Sequence, residues 1–374
     1  AYHQDFKKNL RSLNIVASDS DSCVFHSANS KYPSLWILCY VDDLICRGSA
    51  ADIAAFKADF QHIYKIRDYG EPRSFIGMEI NRNRAKKTVT LTQTQYIQQM
   101  ATRFGMLDCH YVSTPMDSSS KLSREETSSL PPPDPKDYRA IVGSLIYAQT
   151  LTQMPISFAV TQLSKYLARP THAHMHAAKR VLAYLYHHRH LGPTYDGNLG
   201  TSLVGYSDAD YGGCPDTRRS TSGRVFMFMG AALTWASKQQ RTVAVSTAES
   251  EYMAVSDCAR EAMWVRKLIA DLLQLDSVPV TSIMEDNTAA SKWCYNPVNH
   301  AKQKHIDIAY HFVREQIAEF GTLTIVAVPT VDQIADLATK ALPAPRFEYL
   351  VRKAFNISTD RSLRMTIPTE LPRS

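Results

Sequence analysis

From residue 200 onward the apolar pattern changes period, and that succession limits the fold more than any other feature of the chain. Three strand-like runs come first, at 202–207, at 222–230 with a nearly continuous GRVFMFM, and at 232–245. A helical stretch follows over 247–273, in which Val255, Ala259, Ala262, Val265, Ile269 and Leu272 recur on one face. Beyond it the pattern predicts a strand at 280–285, helices at 287–295 and 305–319, a strand at 322–328 and a closing helix at 331–341. Three strands followed by alternating helices and strands imply a mixed five-stranded sheet flanked by helices, an α/β (α+β) fold.

Carboxylates fall at the ends of these elements. In Gly205–Gly213, GYSDADYGG, Asp208 ends an apolar approach of Leu203, Val204 and Tyr206, with Asp210 two residues on and glycines behind it. A fold holds out a metal ligand in this way, although a strand that merely ends in a polar turn looks the same. Ser246 and Glu249 form an S-x-x-E capping box, which gives Glu249 a structural task and leaves Glu251, near the start of the helix, free for another. Met284-Glu285-Asp286-Asn287 ends one strand and begins a helix, and alternation sends Glu285 to the opposite side from Asp286, into solvent. Thr330-x-x-Gln333 reads as a second capping box, with Asp336 on the helix it would start.

The first half is less regular. A helical pattern (Phe6, Leu10, Leu13) opens the chain, and Leu35–Val41 and Leu44–Cys46 flank Asp42-Asp43 as a tight hairpin with an acidic tip. Turn chemistry alone accounts for such a pair, unless the carboxylates face a cation. Residues 91–106 have helical spacing, 117–137 read as a polar, proline-containing linker, and helices are expected at 138–150, 156–168 and 172–189. His172 and His176 in the last of these are spaced to hold a metal, but with no acidic or cysteine partner nearby a basic, solvated face with Lys179 and Arg180 is the better explanation.

Composition excludes rather than selects. The 374 residues suffice for two or three domains, and a net charge of +6 permits a polyanionic partner without demanding one. Seven scattered cysteines lack zinc-ligand spacing and read as reduced, buried residues of an intracellular protein. No apolar run is long enough to span a membrane, and a start at Ala1 within a helical pattern suggests a piece of a longer chain.

Tyr40-Val41-Asp42-Asp43 resembles the catalytic hairpin of reverse transcriptases. YVDDLIC, SFIGMEI (74–80), LTQTQYIQQMATRFGM (91–106), STPM (113–116), YRAIVGSLIYA (138–148), ISFAVTQLSKYLARP (156–170) and HAAKRVLAYL (176–185) resemble, in the same order, the polymerase region of copia-type LTR retrotransposon Pol polyproteins. Gln153-Met154-Pro155 departs from that family's usual Arg-Pro-Asp. The resemblance implies a partial reverse transcriptase palm at 1–90, a thumb-like helix at 91–116, the linker at 117–137 and a helical connection at 138–199. A ribonuclease H-like domain at 200–345 and a C-terminal tail at 346–374 complete it.

On the same ground, Asp42 and Asp43 are two of three polymerase carboxylates, the third lying on an upstream palm strand, so no independent polymerase activity is expected. Asp208, Glu251, Asp286 and Asp336 are implied as catalytic ligands of two Mg²⁺ ions (Mn²⁺ being the alternative) that cut RNA in an RNA–DNA hybrid, with Asp210 demoted to the rim. The segment NHAKQKHID resembles the family's H-x-x-x-K-H-I-D stretch, placing His300, Lys302, Lys304 and His305 near the site. His305 is the candidate proton shuttle, while Arg218 and Arg219 would meet the nucleic-acid backbone with Lys302 and Lys304. The implied partners are the hybrid and the upstream part of the same polyprotein, with no membrane. The implied location is a cytoplasmic virus-like particle with a nuclear phase. A catalytically inactive nucleic-acid-binding remnant is the competing assignment. An integrase-like strand transferase is disfavoured by the four carboxylates and the lack of a zinc-binding His/Cys region.

Overall fold

The structure, a computed structural model, describes residues 2–119, 121–125, 128–295 and 311–358. It divides into two compact units, the first formed by residues 1–80 and 263–278 and the second by 81–262 and 279–374. No helix among the described residues is long and apolar enough to cross a membrane.

The first unit opens with α1 (Tyr2–Ser12), followed by β1 (Ile15–Ala17), β2 (Val24–Ser27), β3 (Trp36–Tyr40) and β4 (Asp43–Arg47), an antiparallel sheet in that order. Helix α2 (Ala50–Phe60) is capped by Ser49, whose hydroxyl accepts from the Asp52 amide. The apolar positions of α1 bury Phe6 and Leu10 against Phe25, Ile37, Phe56 and Phe60, with Phe6 edge-on to Phe25 at 5.6 Å. A short hairpin, β5 (Ser74–Phe75) with the start of β6 (Met78–Asn83), follows.

The acidic tip of the β3–β4 hairpin is shifted by one residue from the sequence expectation. Tyr40 pairs with Asp43, so the two-residue turn is Val41-Asp42 and Asp43 already belongs to β4. Val41 takes a positive φ of 54° and is largely exposed, a conformation that a β-branched residue rarely adopts. Asp42 and Asp43 are both exposed.

The second unit holds β7 (Thr88–Thr92), α3 (Thr94–Arg103), α4 (Pro135–Leu151), α5 (Ser157–Ser164), α6 (His172–His187) and β8 (Thr194–Asp196). Then come β9 (Val204–Asp210), β10 (Thr221–Phe228), β11 (Ala231–Gln239), the first part of α7 (Thr247–Leu273, whose residues from 263 on belong to the first unit), β12 (Thr281–Glu285), α8 (Thr288–Tyr295), β13 (Leu323–Ala327) and α9 (Ala344–Phe355). The α/β class and the mixed five-stranded sheet are as expected, in the order β11-β10-β9-β12-β13. β10 pairs antiparallel with both β9 and β11, while β12 pairs parallel with both β9 and β13. A single core joins α4, α5, α6 and α9 to this sheet through Leu145, Leu163, Val181, Val225, Leu337 and Leu350.

α6 carries the histidines. His172 is half-buried and its ring meets the Pro131 carbonyl at 2.8 Å, while His174 is buried, stacked on Tyr166 at 3.8 Å and engaged in a capping box with Thr171.

β11 stops earlier than its apolar pattern suggests. Gln240 donates through its backbone to Ser220 and through its side chain to Ser222 and Ser250, tying the chain down ahead of α7. α7 occupies the expected residues. Ser246 accepts from the Glu249 amide at 3.1 Å, and the Glu249 carboxylate accepts from the Val245 amide at 2.9 Å. The closing helix at 331–341 does not form as expected. Two 3₁₀ turns, Thr330–Asp332 and Ile334–Ala338, stand there, separated by Gln333 at φ −70°, ψ 97°. Gln333 does not cap back to Thr330. Its side chain instead donates to the Ser207 carbonyl at 2.9 Å and accepts from the Ala335 amide, so the chain is drawn against β9 and cannot continue as one helix.

Candidate active site

Strand β9 lies where the antiparallel half of the sheet meets the parallel half, the position at which open sheets commonly present ligand groups at strand carboxyl ends. Because β9 and β12 are parallel, their carboxyl ends point the same way, bringing Asp208 and the pair Glu285-Asp286 to one end of the sheet. α7 supplies Glu251 from its first turns, and the second 3₁₀ turn supplies Asp336.

Asp208 is buried, with Gly223 of β10 as its register partner. A Cβ on Gly223 would lie 2.6 Å from Thr339 Cγ2 and 2.9 Å from the Ala335 carbonyl, so only glycine lets the 3₁₀ segment sit this close. The Thr339 hydroxyl donates to Asp208, and Lys340 Nζ lies 3.3 Å from Asp208 and 2.8 Å from Asp336. Asp336 is fully buried and also paired to Arg346 of α9. Burial, with Asp208 nearby, raises the Asp336 carboxyl to about 7 despite its two cations. Burial works against the Lys340 ammonium, but Asp208 and Asp336 more than offset it and hold its pKa up.

Glu251 is buried, and burial followed by the charges of Asp208, Glu285 and Asp286 pushes its carboxyl up to about 10. Glu285, expected in solvent, is instead fully buried. Alternation along β12 sets Glu285 on the face of Thr281 and Ile283, which is the buried face; Asp286 lies past the strand end and is half-buried. Burial, with Asp208 and Asp286, holds the Glu285 carboxyl well above its ordinary value. One oxygen of Glu251 and one of Glu285 are buried without a hydrogen-bond partner among the described residues.

The charge of Asp208 thus bears on Glu251, Glu285 and Asp336, and that of Asp286 on Glu251 and Glu285. Among the described residues, no three His, Cys, Asp or Glu side chains stand close enough to hold a metal ion as they are. The donor set still fits a hard divalent cation in kind: it is all carboxylate, in excess of the nearby cations, with buried oxygens of Glu251 and Glu285 unpartnered among the described residues. Asp210, on the same face of β9, is half-buried with its pKa raised by burial, and its carboxylate lies where a side chain on Gly213 would be.

Arg218 and Arg219 are exposed on the β9–β10 connection, Arg218 at φ 56°. His300, Lys302, Lys304 and His305 lie outside the described residues. Sequence reasoning gave Glu285 and Gln333 other roles and missed Thr339, Lys340 and Arg346. Lys340 was findable, since it stands i,i+4 from Asp336, whereas Arg346 reaches back from α9 and carries no local signal.

Residues 1–118 match the family described as "Reverse transcriptase (RNA-dependent DNA polymerase)". The chain is 33% identical over 93% of its length to the Retrovirus-related Pol polyprotein from transposon TNT 1-94 of Nicotiana tabacum. It is 35% identical over 94% of its length to that from transposon RE2 of Arabidopsis thaliana. It spans about a quarter of these relatives, 26% and 24% of their lengths. Among solved structures, the foamy viral protease-reverse transcriptase in complex with RNA/DNA hybrid is similar over 79% of this chain and 36% of that one, at 13% identity and a TM-score of 0.46. On its sequence likeness across nearly all its length, the chain belongs to the copia-type retrotransposon Pol polyprotein family.

Proposed function

We propose that the second unit is a metal-dependent ribonuclease H that hydrolyses the RNA strand of an RNA–DNA hybrid, and that it works within a longer polyprotein whose upstream part completes the polymerase. The observation that carries this reading is the convergence of Asp208, Glu251, Glu285 and Asp286 from a central strand, a helix and a neighbouring parallel strand, with buried carboxylate oxygens left unpartnered. Asp208, Glu251, Asp286 and Asp336 would hold two Mg²⁺ ions, or Mn²⁺ in their place. When bound, the ions supply charge neutralisation at a phosphodiester and a water of lowered pKa. The protein's own contribution is positional. Thr339 and Gln333 fix the end of β9, Gly223 admits the 3₁₀ segment, and Arg346 anchors Asp336. Arg218 and Arg219, exposed beside the end of β9, with Lys302 and Lys304, would contact the phosphate backbone, and His305 would move a proton. Such an element would act in a cytoplasmic virus-like particle with a nuclear phase.

One observation favours the other reading, a nucleic-acid-binding remnant without turnover: no three ligand candidates among the described residues stand at metal-binding distance. The two separate cleanly on a labelled hybrid. Enzymatic function predicts RNA-strand fragments with Mg²⁺ and none with EDTA. Salt-sensitive binding with no fragments at any Mg²⁺ or Mn²⁺ concentration would establish the remnant.

A further inference from the structure

We propose that Lys340 is an internal counter-ion that holds the carboxylate site closed, and that a divalent cation enters by displacing its ammonium group. The proposal rests on the metal-dependent reading above and goes beyond it by naming the group with which the metal competes.

The geometry is specific. Lys340 Nζ stands between two carboxylates from separate elements, 3.3 Å from Asp208 Oδ2 and 2.8 Å from Asp336 Oδ1. An ammonium there shares oxygens that a divalent cation would need, which accounts for the lack of a ready metal group among the described residues around them. The two cations on Asp336 are not equivalent. Arg346 is held a second time by the Thr330 carbonyl, so it stays with its carboxylate. The Lys340 backbone is fixed by its bond to the Asp336 carbonyl at 3.2 Å, but its side chain is 36% exposed. The flexible stem can swing into solvent while the backbone keeps its place. Glu251 and Glu285 each keep a buried oxygen with no hydrogen-bond partner among the described residues.

The test uses the full chain, with Mg²⁺ and Mn²⁺ as probes, and reads binding rather than activity. Calorimetric titration compares wild type, Lys340→Met, Lys340→Arg and Asp208→Asn. Lys340→Met is expected to bind Mn²⁺ on the order of tenfold tighter than wild type, and Lys340→Arg, which keeps the charge, to show no gain. Unfolding in EDTA should come at lower temperature for Lys340→Met, with a wider gap between metal-free and metal-bound forms. Equal or weaker metal affinity in Lys340→Met overturns the proposal. Should that variant not fold, amine labelling of the wild type read by mass spectrometry decides: labelling of Lys340 should rise on adding Mg²⁺, and unchanged or reduced labelling overturns the proposal. Metal binding that is lost in Asp208→Asn but indifferent to Lys340 sinks this inference alone. No binding by any form sinks the metal reading as well.

Discussion

Glu251 enters the fold at an electrostatic cost. Its carboxyl is buried next to Asp208, Glu285 and Asp286 and is pushed up to about 10, while in the unfolded chain it titrates in the ordinary carboxylate range. A carboxyl whose folded pKa is raised binds more protons folded than unfolded between those two values, so stability falls as pH rises through that window. Asp336 adds the same sign over a narrower range, ending at about 7. The metal-free protein should therefore unfold at progressively lower temperature from about pH 5 to about pH 8, and Glu251→Gln should flatten the profile. A thermal melt series in EDTA checks this, and a profile that rises over that range contradicts it. Asp208, Glu251 and Asp286 were legible as candidates in the sequence because each sits at a strand end or helix start. Glu285 was not, because its fate depends on which face of β12 the rest of the domain covers.

At the scale of elements, the long helix and the last 3₁₀ turn make a contrast. α7 was readable to its ends because its cap and its apolar stripe agree. Ser246→Ala should cost about 1 kcal/mol in chemical denaturation, the usual worth of a side-chain N-cap. The 331–341 segment misled because its cap-like Gln333 is used in a tertiary bond to Ser207, which no local pattern announces. Its close seat on β10 hangs on Gly223. Gly223→Ala should destabilise the domain by roughly 1–3 kcal/mol, because the new methyl would run into both the Thr339 side chain and the Ala335 carbonyl. An unchanged denaturation midpoint would show that the segment does not pack where it is described.

For the molecule as a whole, the mixed five-stranded sheet followed from the succession of periods after residue 200, while its strand order did not. That the helices of 135–187 and α9 share one core with this sheet did not, since their apolar faces are compatible with many partners. The first unit presents Asp42 and Asp43 exposed at a hairpin whose Val41 is held at positive φ. The 374-residue chain by itself should incorporate no nucleotides on a primed RNA template, and measurable incorporation would refute that. The central claim, that the second unit carries its own hydrolytic site, is tested most directly by cleavage of an RNA–DNA hybrid by the purified chain and by Asp208→Asn. The account predicts Mg²⁺-dependent cutting of the RNA strand by the wild type, reduced at least roughly 100-fold in the variant. Cleavage that survives Asp208→Asn undiminished, or that proceeds equally in EDTA, would contradict it.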